Sequence, residues 1–164
     1  MRLPQRVRRG VLTAHIIFSV GLLGDSAGFL AVAIRGSTTN DPNLARASWE
    51  LLNMFSLLFG IPLSFAALLT GLTLGLGTKW GVLRHQWVTI KLLLIVSVMV
   101  VGGVVISPAS EAMRTGIGGG ETRLIGAAIY DVLALATATA LSVYKPGRGW
   151  RRAPKTSARQ LARV

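Results

Sequence analysis

Apolar residues run through this chain in long unbroken blocks, without the two-residue alternation of a barrel strand. Four blocks stand out, Val11–Ile34, Leu51–Leu76, Trp87–Ile106 and Leu124–Tyr144, separated by short polar stretches. Each reaches the roughly 20 residues that a helix needs to cross a ~30 Å hydrocarbon core. A helix also satisfies its own backbone hydrogen bonds in lipid, so four membrane-spanning helices are the expected elements. Punctuation between the blocks agrees. Asp41-Pro42 reads as a turn, and Pro62 is expected to kink span two or break one backbone bond. Span three is expected to end near Ser107-Pro108, and Pro146-Gly147 stops span four.

Composition sharpens this reading. The 164 residues are 51% hydrophobic and only 15% charged, with a mean hydropathy of +0.56. Soluble domains carry about 25% charged residues. The expected class is therefore an all-α polytopic membrane protein, four transmembrane helices in an antiparallel bundle. A basic N-terminal tail (1–10) precedes the membrane domain (11–144), and a basic C-terminal tail (145–164) follows it. The segment Ala31–Ala33 resembles a signal-peptidase site, but the apolar run before it exceeds the usual 7–15-residue signal core, so the first span is retained. The chain has no cysteine, which removes disulfides, thiolate metal sites and cysteine nucleophiles.

Charge supplies orientation. The net charge of +12 sits at both tails and in the middle turn: Arg2, Arg6, Arg8 and Arg9, then Lys79, Arg84 and Lys91, then Lys145, Arg148, Arg151, Arg152, Lys155, Arg159 and Arg163. Those regions contain no acid, whereas the other two loops balance Arg35, Arg46, Arg114 and Arg123 against Asp41, Glu50, Glu111 and Glu121. The positive-inside rule then makes the chain a multi-pass protein of the plasma (inner) membrane with both termini cytoplasmic. Trp80, Trp87, Tyr144 and Trp150 are expected as inner interfacial anchors and Trp49 as an outer one. Anionic headgroups account for the basic residues without nucleic acid, with Arg84 and Lys91 reaching for them. "GIGGG" (Gly116–Gly120) lacks the Lys-Ser/Thr ending and preceding strand of a phosphate loop, and is expected as a plain flexible loop.

Ionisable residues within spans are candidate functional groups, because a bilayer makes them expensive. His15 and Asp25 lie in span one, Lys91 in span three and Asp131 in span four, with His85 at the mouth of span three. Counting in from Ile34 and Leu124 puts both acids roughly 10–14 Å below the outer boundary at 1.5 Å per residue. Helical spacing gathers Ala127, Ala128, Asp131, Ala134, Ala138 and Ser142 on one face of span four. Gly21, Gly24 and Gly28 give span one a matching face for close helix approach, with Gly24 and Gly28 in GxxxG spacing. Two carboxylates in low dielectric would share a proton or recruit a cation, so Asp25 and Asp131 are the proton or cation candidates. Helix glue, a protonated acid donating across an interface, is the simpler expectation. His15 and His85 are the candidates for a haem or copper site, against plain helix bonding and an interfacial histidine. No cofactor is otherwise called for. No hydrolase elbow or zinc-protease helix is present, so an enzyme is not expected.

Three stretches, "HIIFSVGLLG…AGFLA" (His15–Ala31), "LLTGLTLGLGTKWGVLRHQWVTIKLLL" (Leu68–Leu94) and "LSVYKPG" (Leu141–Gly147), resemble a group of small actinobacterial four-helix integral membrane proteins. The resemblance implies a plasma-membrane protein without an assigned activity. In that group the residue after the position of Gly24 is often small, where this chain has Asp25. A His early in span one and the W-x-x-x-K-L pattern of Trp87–Leu92 are distantly similar to copper-resistance D type membrane proteins, which implies copper or haem at His15. The expected function is a non-enzymatic transporter-like or accessory membrane subunit, self-associating or bound to a partner membrane protein. The alternative is a haem- or copper-binding redox protein using His15 and His85.

Overall fold

The computed structural model describes residues 4–77, 86–115 and 120–144. They form α1 (Gln5–Thr38), α2 (Pro42–Phe55), a π-helical turn (Ser56–Gly60), α3 (Ile61–Leu76), α4 (Gln86–Val101), a second π-turn (Gly102–Ile106), α5 (Ser107–Arg114) and α6 (Glu121–Tyr144). No strand occurs among the described residues. Helices and π-turns join end to end, leaving four units long and apolar enough to cross a membrane: Gln5–Thr38, Pro42–Leu76, Trp87–Met113 and Glu121–Tyr144. Their outward faces carry large apolar side chains, among them Ile17, Val20, Leu58, Leu69, Leu93 and Val104. Such continuous apolar surface is the kind a bilayer covers.

Two ends differ from the sequence expectation. The polar stretch after span one is mostly helix. Ser37 and Thr38 return their hydroxyls to the Ile34 carbonyl at 2.9 Å, closing α1. Asp41 then caps α2, accepting from the Asn43 N–H at 2.9 Å, with Pro42 in the first turn where its missing N–H costs nothing. The Asp41-Pro42 turn is thus a helix start. At the other site the chain does not stop at Ser107-Pro108 but continues helically to Arg114.

The π-turns explain how both internal prolines are accommodated. A proline ring crowds the carbonyl four residues back and lacks an N–H. In each case the backbone widens just ahead of it, so that Ile61 N–H bonds Ser56 O and Ser107 N–H bonds Gly102 O, five residues apart. The two turns share a register: each starts six residues before its proline and is followed by Pro-x-Ser, with Ser64 and Ser110 bonding back to Gly60 O and Ser107 O.

Contacts along α1 run steadily down span two. A methyl group added at Gly36 would lie 2.8 Å from the Ser48 Cβ and 3.2 Å from the Trp49 ring. One at Gly28 would meet Phe55, and one at Gly21 would meet Leu63. His15 bonds Ala67 and Thr70 farther along. Trp49 is consequently buried, 5% exposed, where an outer interfacial anchor was expected: the gap over Gly36 draws its ring inward. The glycine face of α1 also meets span two and not span four, since the positions at Gly21 and Gly28 touch Leu63 and Phe55 and the position at Gly24 touches nothing within 4 Å. Span four presents its small-residue face to the interior, with Ala127, Ala128, Asp131 and Ala134 buried, Ala138 half-buried and Ser142 exposed.

Buried side chains form two clusters. One holds Phe29, Ala33, Trp49, Leu52, Ile106, Ala109, Leu124, Ala127 and Ala128; the other holds Leu22, Val98, Ala134 and Leu135.

Candidate functional site

Between these clusters all four spans wall a cavity of about 280 Å³. Leu22, Asp25, Ser26 and Phe29 enter from α1 at positions three, one and three residues apart, one face of a helix. Span two contributes Ser56, Gly60, Ile61, Ser64 and Phe65; span three contributes Val98, Met99, Gly102, Gly103, Ile106 and Ser107; α6 contributes Ala128 and Asp131. Both π-turns therefore border it. The locally widened backbone and the glycines at Gly60, Gly102 and Gly103 leave space where a regular helix with side chains would fill it.

The cavity brings Asp25 and Asp131 to one wall-bounded space. Asp25 sits against Gly60, its Oδ2 3.4 Å from where a Cβ on that glycine would stand. Asp131 is only 7% exposed. The Oδ1 of each acid is buried without a hydrogen-bond partner. Buried polar atoms in folded proteins are almost always bonded, so two orphaned oxygens on acids that line one cavity are unusual. Neither oxygen makes the interhelical bond that a role as helix glue calls for. Two of the four lining hydroxyls are turned to their own backbone: Ser64 donates to Gly60 O at 2.7 Å and Ser107 to Gly102 O at 2.9 Å.

His15 stands in contrast. Its Nδ1 lies 3.1 Å from the Ala67 carbonyl and 3.0 Å from the Thr70 hydroxyl. A carbonyl can only accept, so Nδ1 carries the proton, and Thr70, which donates to Ala66 O at 2.6 Å, accepts as well. The ring lies against Gly71, 3.1 Å from the position of a Cβ there. His15 thus fastens α1 to α3. His85, its expected partner, lies outside the described residues, as do Arg84, Trp80, Trp150, Gly116–Gly119 and the C-terminal tail. No group of three His, Asp or Glu side chains gathers among the described residues, and His15 is the one histidine among them. Lys91 stacks its ammonium 5.0 Å from the Trp87 ring centre, a cation–π contact one helical turn apart.

Sequence spacing found both acids, but not the π-turns or the serines beside them. The signal was present: "SLLFGIPLS" (Ser56–Ser64) and "GGVVISPAS" (Gly102–Ser110) each put small residues and a Pro-x-Ser within a span. The chain matches no family model, no curated protein and no solved structure.

Proposed function

We propose that this chain is a plasma-membrane protein, non-enzymatic and transporter-like or accessory in role, in which Asp25 and Asp131 form a proton or cation site. One observation carries the reading: two acids from different spans line a single cavity, each with a buried oxygen that no protein group satisfies. An unpaired carboxylate in a low-dielectric interior is strongly unfavourable, so the pair has to be neutralised by protons or by a cation. The reversed order of contacts between α1 and span two, Gly36 with Ser48 through His15 with Thr70, supports the antiparallel arrangement. The charge asymmetry of the loops supports cytoplasmic termini.

The test is reconstitution of the full chain in proteoliposomes, with an internal pH dye and imposed proton and cation gradients. Asp25→Asn and Asp131→Asn should each reduce gradient-driven flux about tenfold, or abolish a cation-dependent rise in thermal stability where the protein acts as an accessory subunit. Flux and stability unchanged in both variants would remove the site.

A second reading, haem or copper at His15, has its own observation. Donation from Nδ1–H to the Ala67 carbonyl holds the imidazole in the tautomer that leaves the Nε2 lone pair for a ligand, the usual arrangement at metal-binding histidines. Its test is a haem absorption band or stoichiometric copper in the purified protein, lost in His15→Ala; a colourless, metal-free preparation removes it.

A further inference from the structure

We infer, resting on the cation reading above, that the cavity takes a small amphiphilic organic cation, an ammonium head on an apolar body, and not an inorganic ion. The cavity is too large for a bare ion. About 280 Å³ lies just under the range of pockets that hold small organic ligands, roughly 300–1,000 Å³. It equals about nine waters at ~30 Å³ each, far more than a dehydrated alkali ion fills. The remaining space would have to hold water, and buried water needs two to four polar partners apiece. The walls offer few of them. Leu22, Phe29, Phe65, Val98, Met99 and Ile106 present carbon and one thioether, Ser64 and Ser107 spend their hydroxyl protons on backbone carbonyls, and beyond the two acids that leaves the hydroxyls of Ser26 and Ser56.

Charge argues the same way. Asp25 and Asp131 are the only titratable side chains among the described residues lining the cavity, so no described side chain there offsets a bound carboxylate. Asp131 is more than nine-tenths buried with an unpartnered oxygen, as a counter-ion awaiting a guest would be. An ammonium head answers the acids that line the cavity. Apolar substituents cover the carbon walls, where the Phe29 and Phe65 rings and the Met99 sulfur also attract a cation. Uptake of one monocation by a protonated pair releases one proton, which gives the event a direct readout.

The test uses the full chain in detergent at weak buffering, with a pH dye, titrated separately with benzyltrimethylammonium chloride, NaCl and KCl. Benzyltrimethylammonium should bind saturably and release protons at concentrations where NaCl and KCl release none. Asp131→Asn and Asp25→Asn should each weaken that binding at least about tenfold. Gly102→Leu guards against loss by misfolding. It lines the cavity, and a Cβ there meets no atom within 4 Å, so the larger side chain takes up space while keeping both acids. It should weaken the organic cation by a similar factor. Proton release by Na⁺ or K⁺ but not by benzyltrimethylammonium would overturn the organic-cation assignment and leave the cation site standing. No release by any of the three would overturn both. Undiminished benzyltrimethylammonium binding in Asp131→Asn and Gly102→Leu would place the guest elsewhere and overturn the inference.

Discussion

The two ends of α1 meet span two very differently from its middle. At one end Gly36 brings the helices so close that Ser48 and Trp49 occupy the space a side chain would need. At the other end His15 bonds Ala67 and Thr70 across the interface and rests on Gly71. Between them Asp25 faces a cavity beside Gly60, with an oxygen that bonds nothing. The ends use small residues and a satisfied polar group to hold helices together, as membrane interfaces generally do. The middle leaves a polar group unsatisfied, which only a guest or a proton can remedy. Ionisable residues within spans are therefore not equivalent: their partners distinguish fastening from binding.

That contrast can be broken by substitution, read as unfolding in detergent. Gly36→Val should have the largest effect, about 3 kcal/mol of destabilisation, because a Cβ 2.8 Å from that of Ser48 forces the helices apart. His15→Leu should follow at about 1–2 kcal/mol, from the lost interhelical bond and the misfit against Gly71. Asp131→Leu should run in the opposite direction, stabilising by up to about 1–3 kcal/mol as an unsatisfied buried oxygen is removed, while abolishing cation-dependent behaviour. A loss of more than ~2 kcal/mol there would make Asp131 a fastener like His15. Tyr130→Phe, which breaks the 2.6 Å bond between the Ser97 and Tyr130 hydroxyls at an exposed position, should cost about 0.6 kcal/mol. Gly24→Ala should be neutral or slightly stabilising, by under ~1 kcal/mol, since its Cβ meets open space and alanine favours helix.

Much of the architecture was legible in the chain because membrane helices advertise themselves by length and hydropathy alone. The four apolar runs all fall inside the four long helices of the structure. Asp25, Asp131 and His15 were equally visible, because charge inside a span is conspicuous. What single-span patterns do not carry is which face meets which helix. The glycines of α1 and the alanines of α6 look complementary, yet Gly21 and Gly28 serve span two, since small residues permit close approach without selecting a partner. Pro108 reads as a terminator because the steric rule assumes a regular helix. The π-turn at Gly102–Ile106 removes that assumption and carries the helix on to Arg114. Trp49 reads as an interfacial ring, but a cavity-free seat over Gly36 exists only once two helices pack.

The two orphaned acids should respond together to a cation in their shared cavity. Infrared difference spectroscopy of the carboxyl C=O stretch, on the full chain with and without benzyltrimethylammonium, tests this most directly. The native protein should lose a protonated-carboxyl band and gain a carboxylate band, with neither change in Asp25→Asn or Asp131→Asn. An unchanged carboxyl region in the native protein, or the same difference spectrum in both variants, would contradict it.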